Sequence, residues 1–547
     1  MGLYLMTLLK PIRLFSIFLL AIAAAACSSS NDKSYTIAET QFGKIRGYVQ
    51  DSVLIFKGVP YAQAERFMLP HAPERWDTVM DCTRFGCISP QAASRKSNPY
   101  IPVDTALFMG ENCQNLNIWT PLRKGNDKRP VMVWLHGGAF DYGSSHHHLC
   151  FDGYKLANTE NVVVVTVNHR LNCLGFLNLE AYGDKYHGSG NAGMADIVAA
   201  LHWIHDNINA FGGDRDNITL FGHGGGGVKI LTLMAMPAAK GLFHKAIIQS
   251  GTLEGMTQTA EMSRRVAANT IKNAGVNSAE DLAVLPYDSI LAASNRAIDG
   301  LNHEFKTDIT SRIRFAPVVD GILLPKPVFT DTSANVDASI PLIIGSTFSE
   351  GATQYHLTGN DSEAMPDVHM LSEEELDAEL GKKFGIKKDD VKLAFAMCYP
   401  DRPLCEVLMM DTIVRSHVLR MADLLLKRGD APIYMYLFCW VTPLHNGHMM
   451  SFRNSEMPFV FNNPENAEFA RVGGTEANRL ARIMSRCWAS FARSGNPNNS
   501  ITPFWRRINY HQGHTMIFDR DVRLESYPDL RLMRILQPEL VKDIQLD

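Results

Sequence analysis

The stretch NITLFGHGGGGVKILTLM, Asn217 to Met234, is where this chain could carry a nucleophile. A short β-branched strand runs into a dense glycine turn and then into an amphipathic helix. Such an elbow presents the side chain at its tip to whatever binds above it. The tip here is Gly224, which has no atom that can bond to a carbonyl carbon. The same glycines also satisfy G-x-G-x-x-G after a strand and before a helix, the spacing that cradles a dinucleotide pyrophosphate. That reading also needs an acid at the end of the next strand. HKAIIQSG ends in Gln249 and Ser250, so no nucleotide cofactor is expected. The histidine run SSHHHLC (144–150) is the other eye-catching cluster, but three adjacent histidines point in alternating directions and seldom share one ion. No paired CxxC occurs, so no metal site is expected.

The elements that must position these turns read as alternating strands and helices. RPVMVWLHGG, NVVVVTVNHR, NITLFG, FHKAIIQSG and IPLIIGSTF are apolar strands, and MADIVAALHWIHDNI and GVKILTLMAM have helical spacing. Continuously apolar strands separated by helices predict a doubly wound, mostly parallel α/β sheet, with ligands at the strands' carboxyl ends. Tyr35 to about residue 60 reads as short alternating strands. The 256–315 and 360–430 regions read as helical insertions capping the sheet.

With 547 residues, 46% of them hydrophobic, the chain buries a core without metal or disulfides, and its net charge of −4 argues against a nucleic-acid surface. Its first 26 residues carry Lys10 and Arg13, an apolar run from Leu14 and a string of alanines, a secretory signal rather than a membrane span. Cys27 after AAA, followed by SSSND, resembles a bacterial lipobox. The expected organisation is a signal peptide (1–26), a polar tether (27–34) and one domain (35–547), exported and lipid-anchored through Cys27 in a bacterial envelope. The membrane would be met only through that anchor. Export permits disulfides, with Cys82, Cys87 and Cys113 as one candidate group and Cys398–Cys405 as another.

Seven segments, in order, resemble the type B carboxylesterases, the cholinesterase-like branch of the α/β-hydrolases: FKGVPYA (56–62), ENCQNLNIWTP (111–121), WLHGGAF (134–140), NHRLNCLGFL (168–177), FGGDRDNITLFG (211–222), FAPVVDG (315–321) and WASFARSGNPN (488–498). The resemblance implies an α/β-hydrolase fold and a Ser–His–acid triad with an oxyanion hole. It places the oxyanion donors on Gly137, Gly138 and Gly225, the acid on Glu350 in LIIGSTFSEG, the nucleophile on Gly224 and the base on Arg453, three residues before Glu456. A guanidinium stays protonated and cannot act as a general base. The expectation is a member without serine-esterase turnover, its Arg453 paired with Glu350 through a bidentate contact, its pocket suited to a small ester or an anion. Two alternatives stand beside it: an active ester hydrolase rebuilt around His223, His445, His448 or Ser250, and a surface binding or adhesion protein. The sequence names no protein partner.

Overall fold

The computed structural model describes residues 35–92, 100–104, 107–122, 128–251, 257–307, 311–330, 332–352, 367–429 and 431–544. The leader, the tether and Cys27 lie outside them. The strands are β1 (Tyr35–Thr40), β2 (Gly43–Gln50), β3 (Val53–Pro60), β4 (Met80–Asp81), β5 (Asn115–Pro121), β6 (Arg129–Leu135), β7 (Val163–Val167), β8 (Gly213–His223), β9 (Lys245–Gln249), β10 (Gln258–Thr259), β11 (Val318–Val319), β12 (Leu342–Thr347), β13 (Ile433–Phe438), β14 (His514–Phe518) and β15 (Arg523–Ser526). Thirteen of them form one sheet in the order β1-β2-β3-β5-β7-β6-β8-β9-β12-β13-β14-β15, with β4 beside β2, while β10 and β11 pair separately.

The sheet is parallel from β7 through β14. Apart from the short parallel β2–β4 pair, its two edges are antiparallel, from β1 to β7 and again at β15. The parallel strands β6, β7, β9, β12 and β13 are buried along their whole length. That is why they read as unbroken apolar runs: crossover helices cover both faces. The α/β-hydrolase architecture expected from the sequence is therefore the one observed. The order β7-β6-β8 reverses the direction in which strands are added, so a crevice opens beyond the carboxyl ends of β6 and β8. Gly137 and Gly138 follow β6, and Gly224 follows β8.

The two insertions are helical. Ala260–Ala274 and Tyr287–Phe305 pair in the first; Glu373–Phe384, Lys388–Cys398 and Ile413–Leu426 build the second. Their ends are locally encoded. Thr259 accepts from the Met262 N–H, and Ser372 with Glu375 forms a reciprocal capping box.

The disulfide candidates do not pair. Every described cysteine is a free thiol. Cys82 packs in the core, the Cys87 thiol donates to the Asn112 carbonyl, and Cys113 lies beside Asp196 and Arg170. Burial raises the thiols of Cys398 and Cys405, both to about 11. Closeness in sequence did not place these sulfurs face to face.

Candidate functional site

The elbow is built by β8 and the helix Gly225–Ala235. Gly224 caps that helix at φ 54°, ψ −116°, a left-handed region where a side chain is strained. Its N–H donates to the Gln249 carbonyl at 2.7 Å, tying the turn to the end of β9. Gly225 opens the helix, so its N–H is among the donors with no intrahelical partner, at the positive end of the helix dipole. Opposite it, the β6 turn holds Gly138 at φ 85°, where a Cβ would run into the Tyr142 carbonyl. Gly137, Gly138 and Gly225 all line one cavity of about 250 Å³, together with Gly224, Ser250 and Arg453.

Glu350 stands just past β12, and the loop carrying Arg453 crosses to meet it. Arg453 Nη1 donates to Glu350 Oε2 at 2.7 Å. The pairing expected from the sequence forms, but it is not bidentate. Glu350 Oε1 is already taken by the Ser250 hydroxyl, at 2.5 Å, and by the Thr347 N–H, at 3.2 Å. The other end of the guanidinium lies over the elbow: a Cβ added to Gly224 would fall 2.5 Å from Arg453 Nη2. Arg453 thus fills the volume that a side chain at position 224 would need. Its side chain stays 39% open, facing the cavity it lines, whereas that of Glu350 is 7% open. Burial opposes the guanidinium charge, but the Glu350 carboxylate outweighs it and raises the arginine further.

Behind the pair lies a layer of held-neutral groups. Burial pushes Glu456 up to about 8, the Glu350 charge adds to this, and Arg453 and Gln249 offset only part. Burial pushes Asp411 up to about 7, again with Glu350 adding. His223 is held well below its usual range by burial and then by the Arg453 charge. Its Nε2 lies 3.8 Å from Glu456 Oε1; with both groups neutral near pH 7, that approach is not an ion pair. Lys229, on the elbow helix, is buried, and desolvation lowers it to about 7. Its Nζ donates to the His136 carbonyl at 2.9 Å, bracing the β6 turn from behind.

Sequence reasoning missed part of the wall. The histidine run is more than a chance accumulation in a loop: His147 and His148 line the cavity, as do Ser144 and Tyr142. Ser144 Oγ, His147 Nδ1, His148 Nδ1 and His223 Nε2 are buried without a hydrogen-bond partner among the described residues. Burial is the first cause keeping both ring systems neutral, His148 at about 3. Only the run itself could have flagged them. His445 and His448 do not reach the cavity; His445 bonds the Tyr100 hydroxyl and His448 bonds Asp367.

Gly224, Glu350 and Arg453, drawn from three distant segments, meet beside the glycine turns that follow β6 and β8 on an α/β-hydrolase sheet, and comparison with known proteins agrees with that class. Residues 34–529 match the model of the carboxylesterase family, and the chain belongs to that family. It is 34% identical to para-nitrobenzyl esterase of Bacillus subtilis (strain 168), over 92% of this chain and 99% of that protein. Against human cocaine esterase it is 30% identical, over 88% and 89% respectively. Among solved structures, an esterase of the anaerobe Clostridium hathewayi, described as able to hydrolyse aliphatic aromatic polyesters, is 34% identical with a TM-score of 0.81, covering 93% of this chain and all of that one.

Proposed function

We infer that this carboxylesterase-family protein retains a small carboxylate or related anion in its pocket and does not turn esters over. One observation carries the reading: Arg453 reaches from Glu350 across Gly224, so a fixed cation sits where a nucleophile and its base would stand. Around it, the helix N-terminus at Gly225 and the glycines of the β6 turn offer N–H donors suited to negative charge. At about 250 Å³ the cavity lies just under the usual range of roughly 300–1,000 Å³ for small-molecule sites, which suits a short or single-ring acid.

A rebuilt hydrolase would need a hydroxyl activated by a base. Ser144 and Ser250 are the aliphatic hydroxyls on the cavity wall. Ser250 sits at φ 49° and donates to Glu350, and Ser144 has no partner among the described residues. Neither is hydrogen-bonded to an imidazole. Export and lipidation at Cys27 belong to the same proposal, with mass spectrometry of the mature N-terminus as their test.

The pocket reading is tested with p-nitrophenyl acetate and butyrate, a fluorophosphonate probe, and calorimetry with butyrate and benzoate. The expected result is no turnover and no covalent adduct, with carboxylate binding weakened about 10- to 100-fold in Arg453→Met, the size of one lost charge-assisted hydrogen bond. Turnover by the unmodified protein, or an adduct on any side chain, overturns it.

A further inference from the structure

Away from the cavity, the structure gathers a second group of chemistry-bearing side chains that the reading above does not use. Asp367, His369 and His448 each bring one donor atom within 4.8 Å of the other two. His448 Nδ1 lies 2.6 Å from Asp367 Oδ2, and His369 Nδ1 lies 3.2 Å from Asp367 Oδ1. The two imidazoles stack in parallel, 4.3 Å apart. We propose that Asp367, His369 and His448 form a binding site for a divalent transition cation of the zinc class.

Three physical features point there. The first is spacing. Metal bonds of about 2.0–2.1 Å at tetrahedral angles set two donor atoms roughly 3.3 Å apart. Both Asp–His approaches are a little shorter than that and all three donor atoms lie within 4.8 Å of one another, so modest side-chain rotations would bring them to metal spacing. The second is an outer layer of the kind that orients metal-bound histidines. The far nitrogen of His369, Nε2, faces Glu406 Oε1 at 3.3 Å, and Glu406 is itself clamped by Arg402 at 2.8 Å. A carboxylate behind a histidine fixes the ring and leaves the opposite nitrogen aimed at the ion. The third is charge. Arg402 balances Glu406, while the ion-pairing partners of Asp367 among the described residues are the two imidazoles alone. A dication seated among the three side chains would meet the Asp367 carboxylate directly. Two nitrogens and one oxygen suit Zn²⁺, Co²⁺ or Ni²⁺ better than Mg²⁺ or Ca²⁺, which prefer all-oxygen shells. A water would complete a four-coordinate ion.

The site is sheltered, with Asp367, His369 and His448 side chains 27%, 11% and 22% exposed. It also lies on a short path to the cavity. His448 is five residues before Arg453, and between them the Ser451 carbonyl accepts from the Ser349 N–H, next to Glu350. An ion at Asp367–His369–His448 would tie down the loop that delivers Arg453.

The test uses the whole protein, stripped with EDTA and dialysed against ZnCl₂ or CoCl₂. The expected result is one ion per chain at micromolar concentration, a tetrahedral Co²⁺ visible spectrum without a thiolate charge-transfer band, and a rise in melting temperature. His369→Gln with His448→Gln should abolish uptake, and Glu406→Gln should weaken it about 10- to 100-fold. Pulsed EPR of the Cu²⁺-loaded unmodified protein should show two imidazole nitrogens, which keeps the proposal testable if a variant misfolds. No stoichiometric ion, an ion that persists without both histidines, thiolate ligation, or a Cu²⁺ signal lacking imidazole would each overturn it.

Discussion

Three arginine–carboxylate pairs show what separates a buttress from a site. Arg170 and Asp196 meet through two contacts of 2.8 and 2.7 Å, and their side chains are 3% and 0% exposed. Arg415 and Asp529 repeat this geometry at 2.8 and 2.9 Å, both 1% exposed. Arg453 meets Glu350 through one contact only and turns the rest of its guanidinium toward a cavity. A closed, bidentate pair uses up its charge holding elements together. An open, monodentate pair keeps donors for something else, because Ser250 already occupies the second carboxylate oxygen.

The largest effect should come from rebuilding the reaction. Gly224→Ser alone should remain nearly inactive, since Arg453 cannot take the serine proton and its guanidinium stands in the way. Gly224→Ser with Arg453→His should restore ester turnover by about 10³-fold or more over the unmodified protein, measured with p-nitrophenyl butyrate. A fully active single variant would show that Arg453 does not stand at the base position.

The next contrast is in stability. Arg170→Met should cost about 3–5 kcal/mol in urea unfolding, the usual result of stranding a buried charge. Arg453→Met should cost under about 2 kcal/mol, because Ser250 and the Thr347 N–H still hold Glu350. Equal losses would make the Glu350–Arg453 pair a third buttress and erase the distinction.

Smaller effects follow from the held-neutral groups, with opposite signs. Folding raises Glu456 to about 8, so the folded state binds its proton more tightly, and stability falls as pH rises from near the usual glutamate value toward 8. Glu456→Gln should flatten that fall, gaining most over the unmodified protein above pH 8 in a thermal-melt series. Folding lowers Lys229 to about 7, so the unfolded state binds more protons between there and the usual lysine value, and stability rises with pH across that window. Lys229→Met should lose that rise and gain most below pH 7. A variant whose melt series parallels the unmodified protein would place that group's titration elsewhere.

Much of the scaffold was legible because its signals are local. A buried parallel strand must be apolar throughout, and a helix following a tight turn needs glycine where φ is positive; both are visible in NITLFGHGGGGVKILTLM. The Glu350–Arg453 encounter was legible through the resemblance, but its geometry was not. Nothing in residues 350 or 453 tells that Ser250 claims one carboxylate oxygen. The run at 146–148 carries no expected site in the sequence because alternating ring directions argue against shared ligation. It says nothing of a loop folded so that two successive rings reach one cavity. The pairings proposed among Cys82, Cys87 and Cys113 failed for a related reason: nearness along the chain does not fix where sulfurs point.

By itself the sequence determined the sheet, its helical cover, and the chemical poverty of position 224, because periodicity and the absence of a side chain are properties of single segments. Only the tertiary structure decided that Arg453 lies across that glycine, that its charge is half spent on Glu350, and that His448 from a distant segment meets Asp367 and His369. Such distances depend on how segments far apart in the chain are docked by the core, and short-range patterns carry no record of that docking.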